Sequence, residues 1–325
     1  MTIAVLGVVS RWVVFTGLLV AIGALTFDMW ILRPERSAAP AREGAASGSE
    51  GADLPDGARV YAAGRAAAAL AALAVALVLL GALGRLAAEL AIFRDPFEPW
   101  RSELDLLVTG TSFGTAWMWQ AGLAVLAFAA FALASRSPAP MGGGAAWLLA
   151  LAATLALAVT PAFSGHAAGS AELRGLAISS DVVHVVAGGV WLGTLAIVAS
   201  VAAGARRRGL PIGRDRLIGW VTRFSPLALV CAATLGVTGV VASWLHLDAV
   251  SSLWRTPYGR LLLVKVGVLF VILGFGAYNW KQSRGRIALS GDPARLPKSV
   301  AAELAAGLVI LLVTAVLVTT PPPGE

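Results

Sequence analysis

Long apolar stretches broken by short polar connections set the pattern of this chain. Eight of them reach or approach the roughly 20 residues a helix needs to cross the hydrocarbon layer. They lie near Ser10–Ile31, Val60–Ile92, Val108–Leu133, Ala145–Pro161, Asp181–Ala203, Phe224–Trp244, Tyr258–Trp280 and Val300–Thr319. Backbone amides and carbonyls find no water in lipid, so each run must close its hydrogen bonds internally as a helix. The runs are rich in Leu, Ala and Val without the alternation of a membrane barrel strand. The pattern predicts an all-α fold, a polytopic bundle of about eight spanning helices. The second run exceeds what a bilayer requires and is expected to tilt or project. The first, from about Ile3 to Leu32, lacks a basic leader and a small-residue cleavage site, and reads as a retained helix.

Between the runs, Arg33–Gly57 is rich in Ala, Gly, Ser, Pro and charge and reads as a mobile loop. The linker Arg94–Asp105 carries Pro96, Phe97, Pro99 and Trp100 and is expected to lie along the interface. The chain is read as residues 1–180, with helices one to four, and residues 181–325, with helices five to eight.

Charge orients the bundle. The connection between helices five and six holds Arg206, Arg207, Arg208, Arg214, Arg216 and Arg223, and the one between seven and eight holds Lys281, Arg284, Arg286, Arg295 and Lys298. The intervening loop Leu245–Pro257 has only Arg255. By the positive-inside rule the two basic loops are cytoplasmic, which puts both termini outside. The net charge of +7 is thereby a matter of topology, and a nucleic-acid partner is not implied. A composition of 58% hydrophobic and 13% charged residues departs from a soluble domain in the same direction. Cys231 is the only cysteine, which excludes an internal disulfide and a CxxC metal site.

This topology brings His166, His184 and His246, all the histidines of the chain, to the outer face. Imidazole is a favoured ligand of copper, zinc, iron and nickel, and ionisable groups inside a membrane are costly enough to mark function. His184 lies inside helix five, about one turn below its outer end. Asp181 shares its face three residues earlier and is a candidate to hold the ring's other nitrogen. Gly188 and Trp191 continue that face. His166 sits in a small, glycine-flanked segment beyond Pro161, and His246 closes helix six, with Asp248 two residues on. Helices four, five and six are sequential neighbours, so the three imidazoles are expected to converge as metal ligands. Lys265 lies two turns into helix seven below Tyr258. It either snorkels outward or pairs with a buried carboxylate, Asp181 by depth. Met118, at mid-membrane in helix three, and Cys231, in the inner part of helix six, offer soft sulfur along an inward path, or merely fill gaps.

The C-terminal half resembles the copper resistance protein D (CopD) family of bacterial membrane proteins. The similarity is carried by Asp181-Val-Val-His184 leading to Gly189-Val-Trp191-Leu-Gly193, by Arg223-Phe224-Ser225-Pro226, and by Thr238-Gly239. Its most specific stretch runs from Thr256-Pro257-Tyr258-Gly259-Arg260 through Lys265 to Gly276-Ala277-Tyr278-Asn279. The resemblance implies an eight-helix inner-membrane protein that accepts or moves copper from the periplasmic side. It also implies a separate small periplasmic copper-binding partner of the CopC-like kind.

Copper import is accordingly the leading expectation, with a copper ion as cargo held by His184, His166 and His246. A haem-binding electron carrier of cytochrome b type is the runner-up, although two haems need four axial ligands against three histidines. A copper chaperone or sensor without transport uses the same ligands. No Walker or CPx motif points to ATP-driven pumping, and no nucleophile–base pair points to an enzyme.

Overall fold

The computed structural model describes residues 2–37, 56–95, 97–137, 142–163, 173–210, 212–286 and 296–323. It is 90% helical, with no strand among the described residues. Eight helices are long and apolar enough to span a membrane: Ile3–Ser37, Gly57–Phe93, Ser112–Arg136, Gly144–Phe163, Arg174–Arg207, Asp215–His246, Pro257–Tyr278 and Ser299–Leu317. They are called spans one to eight below. Each apolar run of the sequence overlaps one of them, and five lie wholly inside.

Two boundaries differ from the sequence reading. The linker after span two folds as a separate helix, Trp100–Gly110, whose inward positions are Glu103 and Leu107. The chain then breaks at Thr111, in an extended conformation, and span three begins at Ser112 rather than at Val108. Thr111 causes the break. Its hydroxyl donates to the Leu107 carbonyl at 2.6 Å and accepts the Gly114 amide at 2.9 Å, closing one helix and capping the next. Span one also runs on to Ser37, past the expected loop start at Arg33. Arg36 pairs there with Asp28, and buried Glu35 accepts from Trp220 Nε1 at 3.1 Å and Arg223 Nη1 at 3.1 Å. The remainder of the expected loop, 38–55, lies outside the described residues.

Span one is the centre of the bundle. It packs along span two with a close antiparallel register: Gly81 faces the Ser10 carbonyl and Val14, Gly17 faces the Ala74 carbonyl, and Gly64 faces Arg36 and Asp28. It also crosses span five at Gly23 and Gly193, where a Cβ on either glycine would land on the other helix's backbone. Small residues permit this approach, which supplies the dispersion contacts that hold helices together in lipid. Thr194 adds a hydrogen bond to the Gly23 carbonyl. Both helices carry a π-helical turn near the crossing, Phe27–Leu32 in span one and Gly189–Gly193 in span five. Span one therefore joins the two sequence halves into one core.

Candidate functional site

Span five is regular from Arg174 to Gly188, and half-buried His184 is its eleventh residue, about three turns in rather than the one turn expected. Its ring reaches span six, where Nδ1 lies 2.8 Å from Thr238 Oγ1. The Thr238 hydroxyl also lies 2.8 Å from the Thr234 carbonyl and 3.3 Å from that of Leu235 on its own helix. With its proton on that backbone, Thr238 accepts from Nδ1–H, the tautomer that leaves the Nε2 lone pair as the ring's ligating atom. The sequence reading gave this bracing role to Asp181. The structure places the Thr238 hydroxyl of span six at Nδ1.

Asp181 and Lys265 attract one another across spans five and seven, and the Lys265 charge is also felt at His184. No ion pair within 4.0 Å joins Asp181 and Lys265, so this is a longer-range balance of charge. Span seven packs chiefly on span eight and on the one-turn helix Ser252–Arg255, and Lys265 is half-buried.

His246 ends span six, eight residues beyond Thr238, a rise of about 12 Å along the helix. It packs edge-on against buried Tyr258, with ring centroids 6.4 Å apart. His246 and His184 are thus at separate levels rather than in one cluster. Asp248 belongs to neither: it accepts from Ser252 Oγ at 2.5 Å and from the Ala249 amide at 2.8 Å, tying the turn after span six to the one-turn helix. The Ser252 hydroxyl, then these backbone amides, hold its carboxyl below the usual carboxylate range. His166 lies outside the described residues. Among the described residues no three His, Cys, Asp or Glu side chains form a ready metal cluster.

Cys231 is buried in span six two turns from Thr238, on the stripe Cys231, Leu235 and Thr238 that faces the core. It stands about 10 Å along the helix from the His184 contact. Met118 does not join this line. It is the seventh residue of span three rather than its midpoint, and with Trp119 it is exposed on the bundle surface. Trp191 is buried in the core at the π-helical turn. That turn changes the helix register beyond Gly188, so the stripe carrying His184 does not continue straight to Trp191.

Several intramembrane polar groups were missed by sequence reasoning that searched for metal ligands. Arg85, Gln120 and Thr160 are buried together, and Glu303 is buried in span eight beside Gly276. The signal available was a charge inside an apolar run, the same one that singled out Lys265.

A polytopic helical membrane protein with one imidazole braced between two spans is the class that fold and site define. The Copper resistance protein D-like N-terminal domain matches residues 1–176, more than half of the chain, and Copper resistance protein D matches residues 218–317. The chain belongs to the copper resistance protein D family. It is 29% identical over 217 residues, 66% of its length, to the copper transport protein CutJ of Bacillus subtilis (strain 168), and the match covers 38% of that protein. Over 231 residues it is 29% identical to copper resistance protein D of Pseudomonas syringae pv. tomato, covering 68% of the chain and 72% of the relative. No solved structure matches.

Proposed function

We propose that this chain takes up copper at the outer side of the bacterial inner membrane, with His184 Nε2 as the ligand that receives it. The observation that carries the reading is the contact that holds His184, a half-buried intramembrane imidazole whose Nδ1 lies 2.8 Å from the Thr238 hydroxyl of the next span. Membership of the copper resistance protein D family and the names of its relatives supply the metal. Copper is the cargo, and imidazole is a ligand of suitable chemistry for it.

The basic connections between spans five and six and between seven and eight face the cytoplasm, which puts both termini in the periplasm. His246, stacked on Tyr258, is then an outer station, with His166 beyond Phe163 as a further contributor at the mouth. His184 is the intramembrane station, and Cys231 is the soft group lying further inward on the same helix as Thr238. The interior-negative potential favours inward cation movement by about 2.3 kcal/mol per charge per 100 mV. A separate periplasmic copper-binding protein of the CopC-like kind is the donor.

Copper accumulation in cells carrying His184→Ala tests this reading against wild type at equal membrane abundance. Accumulation falling toward that of cells without the protein supports it, and unchanged accumulation contradicts it. Radiocopper flux into proteoliposomes separates a permease from a chaperone, which binds without flux.

A further inference from the structure

We propose that Arg11 and Arg85 hold a single halide-sized anion between spans one, two, four and eight. This inference does not depend on the copper reading.

Arg85 sits two turns before the end of span two and is 7% exposed. Its Nη1 donates to Gln120 Oε1 at 3.4 Å. Gln120 Nε2 in turn donates to Thr160 Oγ1 at 3.3 Å, and the Thr160 hydroxyl donates to the Leu157 carbonyl at 2.8 Å. Pro161, which has no N–H, is the helical neighbour that leaves this turn of span four short of a donor. The chain runs from Arg85 through Gln120 and Thr160 to the Leu157 carbonyl, and Gln120 offers Arg85 a neutral carbonyl but no charge. The Arg85 guanidinium lies over the Phe113 ring at 5.7 Å, and its Nε has no acceptor among the described residues.

Arg11 of span one comes close enough to Arg85 for the two charges to repel. Glu89, one turn beyond Arg85, is the opposing charge felt by both, and it pairs directly with neither. Two cations against one carboxylate leave a positive excess inside an apolar layer, where an uncompensated charge is costly.

Arg11, Val14, Phe15, Arg85, Pro161 and Val318 enclose a cavity of about 20 Å³. A space of that size takes one small particle, a water or a monatomic ion. A water would accept an N–H yet leave the excess charge. Chloride or bromide accepts from the guanidinium groups and neutralises it.

The full chain, purified in detergent, is unfolded thermally with tryptophan fluorescence as readout while sodium bromide replaces sodium gluconate at constant ionic strength. The expected result is a saturable rise in Tm with bromide. In Arg11→Gln, half-saturation moves to bromide concentrations at least about tenfold higher. Gln120→Glu supplies a fixed carboxylate to Arg85, so its Tm in gluconate matches or exceeds that of wild type and no longer depends on bromide. Equal Tm in both salts for wild type overturns the proposal, as does a bromide effect unchanged in both variants. Either outcome leaves the cavity to water.

Discussion

Nδ1 of His184 in span five lies 2.8 Å from the Thr238 hydroxyl of span six, which also reaches the Thr234 carbonyl of its own helix at 2.8 Å. The arrangement orients the ring with a neutral hydroxyl in the place where a carboxylate often stands. A neutral brace suits a site in lipid: it orients the ring without adding a charge that would itself need a partner.

Replacing Thr238 with valine keeps the shape and removes the acceptor. Copper affinity of the purified protein, measured by competition with a chelator of known strength, is expected to fall about 10- to 100-fold. Serine at the same position keeps the hydroxyl and is expected to retain most of the affinity. Equal affinity in the valine and wild-type proteins would show that the ring needs no brace.

The Gly23–Gly193 crossing makes a stability prediction of a different kind. Gly193→Ala places a methyl against the Leu19 carbonyl of span one, a backbone atom that cannot swing aside. A loss of about 1–3 kcal/mol or more is expected, read as a lower unfolding midpoint in detergent. Gly239→Ala on span six meets nothing within 4 Å and serves as the control. It is expected to be neutral or to stabilise by up to about 1 kcal/mol, because alanine is the better helix former.

Asp181 and Lys265 are read as partners in charge across two spans. Removing either alone, as Asp181→Asn or Lys265→Met, leaves the other uncompensated, whereas removing both restores the balance. A double-mutant cycle on thermal stability should therefore return a coupling of about 0.5–3 kcal/mol. Strict additivity would separate the two residues. The double variant is also expected to bind copper, since His184 and Thr238 remain.

Most of the architecture was legible in the sequence because each span declares itself by length and apolarity, and each of the eight runs overlaps one observed span. The break at Thr111 was not, because a threonine cap between two apolar helices does not interrupt the hydrophobic run. The site was legible only in part. His184 stood out as a polar residue in an apolar helix, but its partner Thr238 did not, since threonines that bond to their own helix are common and look alike in sequence. The separation of His246 from His184 follows from helix rise along span six and depends on which residue of that span faces His184. Asp181 was assigned to the ring by spacing alone, and spacing within one helix does not show which group a neighbouring helix brings to the ring. Arg85 and Glu303 carried the same signal as Lys265 and were passed over because the search followed the histidines and the motifs of the C-terminal half.

A haem protein would need paired axial ligands on facing helices. The described histidines stand at different levels, so the purified protein is expected to show no Soret absorption. A strong Soret band would replace the copper reading with an electron-transfer one.

X-ray absorption at the copper edge, on purified protein loaded with one equivalent of copper, tests the central claim most directly. The account predicts nitrogen scattering at imidazole distance in wild type, with the imidazole signature lost or sharply reduced in His184→Ala. An identical spectrum in the two proteins would mean that copper binds elsewhere and that His184 is a packing residue.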